Sequence, residues 1–443
     1  MPDGLELAGH VVRLATAGGA DAAEVTYTEA DRFSTEARDR EIAKLERSTA
    51  RTLTLRAFAR GAKATLATSD FSPGGLAALV AETVDAARFV GDDPHGGLPD
   101  AFAAGVDAAA LRIFADDVRA RADEAKIEDA LALERLAREC DPRIVNSGGS
   151  RVADTTVSLA LANSRGFAGE YRQSQASLGS NPIAHDGAKL RTASYGTAAR
   201  AYASLEPVPS VAAVAARRAV EMIGARKPAT ARCPVIFERD VAAQVLGDIF
   251  AAINAANVAV GNSFLAERIG ARVGSDLATI VDDGRLPGGL GTSPFDAEGV
   301  ATQRTVVMER GTLRTFLYDT YYARRLGARS TGNASGGGIG PSNLYLSAGT
   351  RTLEEMVAAT PRGVLVLETI GFSTESVTGT YSRGARGFAI EGGALAYPID
   401  EFTIAGNLAE MLAAIDLVGS DLVFDQPIVA PSFRVAEMTV SGT

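Results

Sequence analysis

Apolar residues recur along this chain with two different periods, and the places where the period changes mark its elements. From Leu5 to Ala17 they fall at helical spacing and stop at Gly18-Gly19, which predicts a first helix. From Ala23 to Ser69 the period drops to two. Stretches such as Glu24-Val-Thr-Tyr-Thr and Thr52-Leu-Thr-Leu-Arg-Ala-Phe read as strands with one wet face. Phe71-Ser-Pro-Gly-Gly introduces a helical run from Leu76 to Val90, and the Asp, Pro and Gly between Gly91 and Gly97 predict a loop. A charged helical pattern occupies Asp116 to Cys140. A β-rich stretch follows from Arg151 to Leu205, with strands expected at Thr155–Ala162 and Ala199–Leu205.

Ala212 to Gly224 reads as a helix, Lys227-Pro228 as a linker and Val235-Ile-Phe as a strand, with Asp240 placed to cap the long helix behind it. Beyond Ala271 the pattern is mainly short strands and Gly-rich turns, with helices expected near Thr352–Ala359 and Asn407–Leu417. The fold class is therefore α+β. An N-terminal α/β part with mostly antiparallel strands and helices is expected over residues 1–110. A central α/β region and linker covers 111–227, and a larger β-rich domain covers 228–443.

Composition narrows the class. At 443 residues, 46 % of them hydrophobic, the chain can bury a large core without covalent staples. Acidic residues outnumber basic ones, 54 to 44, so a nucleic-acid-coating surface is not expected. Cys140 and Cys233 stand far apart with no C-x-x-C spacing, which excludes a disulfide framework and points to a reducing cytoplasm. The start, Met1-Pro-Asp-Gly-Leu-Glu, carries acid where a signal peptide would carry base. The least polar long segment, Val241–Val260, holds Gln244, Asp248, Asn254 and Asn257, so it reads as a packed helix of a soluble protein and no membrane contact is expected.

The inventory for chemistry is short. Three histidines occur: His10 in the first helix, and His95 and His185 in turn-like segments. A Ser-His-Asp arrangement using either turn histidine stays open, because such triads assemble in space, although no G-x-S-x-G elbow accompanies them. There is no H-E-x-x-H and no pair of histidines at helical spacing, so the usual zinc peptidase site cannot form on one helix. Asp282-Asp283-Gly284 and Asp296-Ala-Glu298 have carboxylates that suit Mg²⁺ or Ca²⁺, but the same patterns are common turn chemistry, which is the favoured reading. Gly288-Gly-Leu-Gly-Thr-Ser and Gly332-Asn-Ala-Ser-Gly-Gly-Gly-Ile-Gly lack a phosphate-binding lysine and a following helix, and both read as flexible surface loops.

Ordered blocks along the chain resemble the TldD/PmbA family, also called the modulator of DNA gyrase family. They begin with Gly19-Ala-Asp-Ala-Ala-Glu-Val and Ala162-Asn-Ser-Arg-Gly-Phe167. Val281-Asp-Asp-Gly284, Phe295-Asp-Ala-Glu-Gly-Val300, Thr302-Gln-Arg-Thr305, Phe316-Leu-Tyr-Asp-Thr320 and Ser330-Thr-Gly-Asn333 continue the series. Gly379-Thr-Tyr-Ser-Arg-Gly-Ala-Arg-Gly-Phe388, Thr403-Ile-Ala-Gly-Asn-Leu408 and Ala430-Pro-Ser432 are similar to the PmbA (TldE) branch in particular. TldD-type members carry an H-E motif on the helix after the first C-terminal strand, and a late Cys. Here that stretch is Asp240-Val-Ala-Ala-Gln-Val-Leu-Gly-Asp-Ile-Phe250, without His, Cys or Glu, and the late Cys is missing.

The resemblance implies a TldD/PmbA-type β-rich C-terminal domain and a non-catalytic subunit. Such a subunit pairs with a zinc-bearing TldD-type partner in a heterodimer acting on unfolded or extended peptides. No catalytic residue, metal ligand or cofactor is expected in this chain; zinc is expected only in the partner. Thr331, Gly332, Asn333, Asn343, Tyr381, Ser382, Arg383 and Arg386 are the candidates for contact with peptide or partner. A homodimeric peptide-binding scaffold and a metal-independent hydrolase are the alternatives.

Overall fold

The structure, a computed structural model, describes residues 3–104, 108–187, 189–371 and 374–442, so Met1 and Pro2 of the acidic start lie outside it. Helix α1 (Gly4–Ala17) begins where the Asp3 carboxylate accepts the Leu5 N–H, and α2 (Pro73–Val90) where the Ser72 hydroxyl accepts the Gly75 N–H with Pro73 in the first turn. Between them run three antiparallel strands, β1 (Ala22–Arg38), β2 (Glu41–Ala59) and β3 (Ala62–Thr68). The charged pattern after Asp116 forms two helices rather than one, α3 (Asp117–Ala120) and α4 (Asp123–Glu139). Arg121 turns extended, with ψ 123°, and interrupts the helical hydrogen bonds. Strands β4 (Ile144–Asn163), β5 (Ala168–Asp186), β6 (Lys189–Thr192) and β7 (Tyr195–Ala199) follow. The strand expected over Ala199–Leu205 thus lies four residues earlier. Tyr202 sits instead in a single 3₁₀ turn, held by its hydroxyl 2.8 Å from Asp154.

One sheet joins the strands on either side of residue 110, in the order β3-β2-β1-β4-β5, with β6 and β7 both beside β5. β1 pairs with β4 from Glu24–Asn163 to Ala37–Ser150. Odd-numbered residues of β1 point to the helices. Ala23 and Val25 pack under α1 and α2, and Ala37 packs under α4 and α5 (Val208–Glu221). The even face carries Glu24 toward the second half of the chain.

That half is built on a closed ring of strands: β8 (Ala231–Phe237), β15 (Arg362–Ile370), β17 (Thr380–Glu391), β18 (Ala394–Asn407) and β21 (Phe433–Ser441), which returns to β8. The closing contact is short, since β21 meets β18 only at Thr403–Ala405. Short β16 (Thr374–Glu375) and β19 (Ile415–Val418) attach to it. A second sheet has the order β11-β10-β9-β14-β20, from Thr312–Leu313, Arg304–Glu309, Ile280–Asp283, Leu344–Leu346 and Ile428–Val429, and β12 (Ala334–Ser335) pairs with β13 (Gly338–Ile339). Helix α6 (Arg239–Ile253) lies between ring and sheet. It buries Val241, Ala242, Val245, Leu246 and Ile249 in a core with Phe237, Ile280, Leu344, Phe402 and Val435. Its cap is Glu238, not Asp240: the Glu238 carboxylate accepts the Asp240 N–H at 2.9 Å.

Four short helices complete the domain, α7 (Ala255–Ala259), α8 (Thr320–Arg325), α9 (Leu353–Ala358) and α10 (Leu408–Ala413). The helix expected over Asn407–Leu417 therefore ends early, because Ile415 and Leu417 pair with β21 instead. α9 has a full capping box between Thr352 and Glu355.

The loop at Gly288–Ser293, expected to be a flexible surface loop, is packed. Thr292 is 1 % exposed. The buried Arg200 guanidinium donates to the carbonyls of Gly289 (2.8 Å), Leu290 (2.7 Å) and Thr292 (3.2 Å), and to Ser174 O on the N-terminal sheet (3.2 Å). Burial holds this guanidinium down at about 10, and no carboxylate faces it among its described hydrogen-bond partners. Removing the cation strands several buried carbonyls at once. Arg200→Met should therefore cost about 3 kcal/mol in urea unfolding and raise amide exchange across residues 286–293. An unchanged unfolding midpoint would show that the loop holds its own shape.

Candidate functional site

The face of α6 turned away from the core is set by helical spacing: Asp240, Ala243, Gln244 and Gly247 recur at three- and four-residue steps. This face forms one wall of a cleft of about 750 Å³. The opposite wall is the N-terminal sheet, where β7 offers Ser194–Ala198 and β5 offers Ser177, Gly179 and Asn181; Asp425, Gln426 and Ile428 close one end. β7 pairs with β5, and the cleft lies over both strands and reaches Gly149 and Arg151 of β4. Gly247 has room around it, since the nearest atom to a Cβ placed there would be Ile428 Cδ1 at 4.0 Å.

At the mouth, charged and aromatic groups hold one another. The Tyr195 hydroxyl donates to Glu206 at 2.6 Å and accepts from Arg239 at 3.3 Å, and burial followed by Glu206 pushes its pKa up to about 12. Arg218 reaches Glu238 and Asp240, each at 2.9 Å. Burial, and then the neighbouring Asp240, raise the Glu238 carboxyl above its ordinary range. Burial likewise raises Asp425, against the pull of Arg239. These carboxylates are engaged by arginines, and the helix face between them shows an amide, an alanine and a glycine. Nothing on it is a borderline or soft zinc donor. Among the described residues, no group of three or more His, Cys, Asp or Glu is placed to hold a metal ion.

The eight contact candidates sit mostly elsewhere. The Thr331 hydroxyl accepts the Tyr318 N–H at 2.7 Å. Gly332, at φ 72°, lies so close to Ala301 O that a Cβ would stand 2.5 Å from it. Asn333 donates to Asp282 at 2.7 Å, and Asn343, fully buried, donates to Asp283 O and to Thr292. Tyr381 is 1 % exposed, Ser382 is half-buried, and Arg383 grips both oxygens of Asp248 at 2.7 and 2.8 Å. Of the eight, Arg386 approaches the cleft. It pairs with Glu368 and Asp400 and lines an adjoining recess with Asp240 and Gln244. The β7 wall escaped the sequence reading because its strand is short and its register was placed too late. His10 and His185 are exposed, and His95 stacks edge-on against Tyr321.

Of the two acidic pairs, Asp296 and Glu298 lie at the junction of the two halves, and Asp282 and Asp283 lie in β9 of the second half. Asp296 accepts the N–H groups of Glu298, Val300 and Ala334, which is turn chemistry. Burial, and then Glu298, lift its pKa to about 7. Asp282 lies near 6, raised by burial against hydrogen bonds from Asn333 and Ser342. Arg56 of β2 lies 3.1 Å from Glu24 on the neighbouring β1 and, across the junction, 3.7 Å from Glu298. Burial takes Glu24 up to about 8 although Arg56 opposes it.

With these walls in place, the comparisons assign the chain. Residues 230–442 match the model of the PmbA/TldA metallopeptidase C-terminal domain, and residues 116–223 that of the PmbA/TldA metallopeptidase central domain. The chain belongs to the PmbA/TldD metallopeptidase family. It is 33 % identical over 425 residues to the metalloprotease PmbA of Escherichia coli O157:H7, covering 96 % of this chain and 93 % of that protein. It is 32 % identical to a PmbA homolog of Haemophilus influenzae, covering 97 % and 94 %. In structure it is similar to a protein of Bacteroides thetaiotaomicron described as a modulator of DNA gyrase, with TM-score 0.92, 25 % identity and coverage of 99 % and 98 %. The fold is also that of TldE from Thermococcus kodakarensis, with TM-score 0.89, 20 % identity and coverage of 98 % and 100 %. Among the described residues no helix is long and apolar enough to cross a membrane.

The junction carboxylates give a pH dependence of defined sign. A carboxyl raised in the folded state contributes stability that is fully present below its unfolded value near 4.5 and is lost as pH rises through about 8. Unfolding midpoints should therefore fall between pH 5 and pH 8.5, and Glu24→Gln should flatten that fall. Equal slopes for the two proteins would place the titration elsewhere.

Proposed function

We propose that this chain is the non-catalytic PmbA/TldE-like subunit of a TldD/TldE-type zinc metallopeptidase complex that acts on unfolded or extended peptides. The observation carrying this reading is the exposed face of α6. The helix that bears the H-E motif in TldD-type members faces a large cleft here, and offers Asp240, Gln244 and Gly247 to it. Zinc and the activated water belong to the partner. This subunit contributes enclosure, which excludes bulk water and admits extended chains rather than folded proteins. β7 pairs with β5 alone among the described strands, and its second edge supports the substrate class, since main-chain hydrogen bonding to a strand edge tolerates any side-chain sequence. Two unpaired cysteines support a cytoplasmic setting, and the acidic net charge of −10 gives no footing for nucleic acid.

The test compares three preparations acting on an unfolded peptide: this chain, a TldD-type homologue bearing the H-E motif, and the two co-expressed. This chain should give no turnover with or without added zinc, and the co-expressed pair should give turnover that chelators abolish. Chelator-resistant cleavage by the lone chain would overturn the reading in favour of a metal-independent hydrolase.

A further inference from the structure

The recess beside the cleft encloses about 140 Å³, the share of about five water molecules. It has Ser194, Asp240 and Gln244 in common with the cleft. Two irregularities of the strand ring meet at it. Leu367 is the extra residue of a bulge in β15, left unmatched between the pairs Val366–Gly387 and Glu368–Arg386. Arg386 is unmatched in turn against β18, where Asp400 and Glu401 intervene between Ile399 and Phe402, and Glu401 takes a left-handed backbone at φ 54°. Leu367, Glu368 and Arg386 all line the recess. Bulges re-aim side chains and concentrate beside binding sites, and here the ladder is interrupted on both sides of β17 where the recess forms.

The lining selects what can enter. Ala193, Met222 and Leu367 supply apolar surface. The charges around them are already matched: Arg218 holds Asp240 at 2.9 Å and Arg386 holds Glu368 at 3.3 Å, with Glu238 and Asp400 as their second partners. The Thr369 hydroxyl donates to Gln244 Oε1 at 2.6 Å, which engages the amide oxygen. A charged side chain would give up its own water and disturb one of these pairs. An uncharged apolar side chain only displaces water from apolar surface, which is favourable. A peptide strand laid along β7 rises about 3.3 Å per residue, so the Ser194–Ala198 wall takes about five residues, and the one at the Ser194 end stands beside the recess.

We infer that this recess is a specificity pocket for one apolar side chain, of leucine or methionine size, in an extended peptide lying along β7. The inference rests on the functional reading above, in which the cleft receives an extended peptide, and adds which side chain that peptide presents.

The test is fluorescence anisotropy of fluorescein-labelled nonapeptides, Gly and Ser throughout except for one central Leu, Ala, Phe, Glu or Lys. They are titrated with the co-expressed pair, with chelator present to stop turnover. The Leu peptide should bind about tenfold tighter than the Ala peptide, or more, and the Glu and Lys peptides no tighter than Ala. Ala193→Leu fills the recess and should bring the Leu-to-Ala ratio on that variant close to one. Leu367→Ala enlarges it and should shift the preference from Leu toward Phe. Circular dichroism and co-purification with the partner check that each variant is folded. Binding of none of the peptides would overturn the functional reading and the pocket with it. Binding that ignores the central residue, or a Leu preference that both folded variants leave unchanged, would overturn the pocket and leave the functional reading standing.

Discussion

The structure turns on the wedging of α6 between the strand ring and the five-stranded sheet. Its apolar face carries five fully or nearly buried side chains, Val241, Ala242, Val245, Leu246 and Ile249, into a core shared with both. Burying each of the larger ones is worth about 1.5–3 kcal/mol, so the helix cannot rotate without losing most of that. Its rotational setting then dictates that Asp240, Gln244 and Gly247 line the cleft. On this wall the cleft meets an arginine-bound carboxylate, an amide and a hydrogen atom.

The second constraint is the junction between the halves, which relies on buried arginines. Arg200 spans from the first sheet to the 289–292 loop on carbonyl oxygens, and Arg191 reaches Asp400 of β18 at 2.6 Å while holding Asp186 at 2.8 Å. Arg324 of α8 donates to the carbonyls of Gly96 and Leu98, tying down the loop after α2. Buried guanidinium groups keep their charge, and five donors in a fixed fork suit several carbonyls at once, so this chemistry sets orientation as well as cohesion. The cleft between β7 and α6 exists because these ties fix how the two halves meet.

Much of the fold was legible in the sequence, and the reasons are local. Leu5–Ala17, Leu76–Val90 and Ala212–Gly224 carry clean helical spacing and come out as helices. Period-two stretches around Glu24 and Thr52 come out as strands, although their length, up to 20 residues in β4, depends on pairing partners far along the chain. Misplacements occur where tertiary contacts override spacing. Leu417 pairs with Arg434 of β21 instead of continuing a helix, and Tyr202 is drawn toward Asp154. For the site, the lack of His, Cys and Glu over Asp240–Phe250 could be read from residue types. The cleft could not, since its second wall comes from β5 and β7, more than forty residues upstream of the helix. The polar residues of the Gly-rich segment looked available because such residues commonly mark exposed loops, yet Asn333 and Asn343 are buried and their amide N–H groups go to Asp282, Asp283 and Thr292.

The most direct measurement is the zinc content of the purified chain after incubation with zinc and exhaustive dialysis, read by mass spectrometry of the metal. Only substoichiometric zinc is expected, unaltered by Asp240→Ala or Gln244→Ala. One zinc per chain, lost on either substitution, would contradict it.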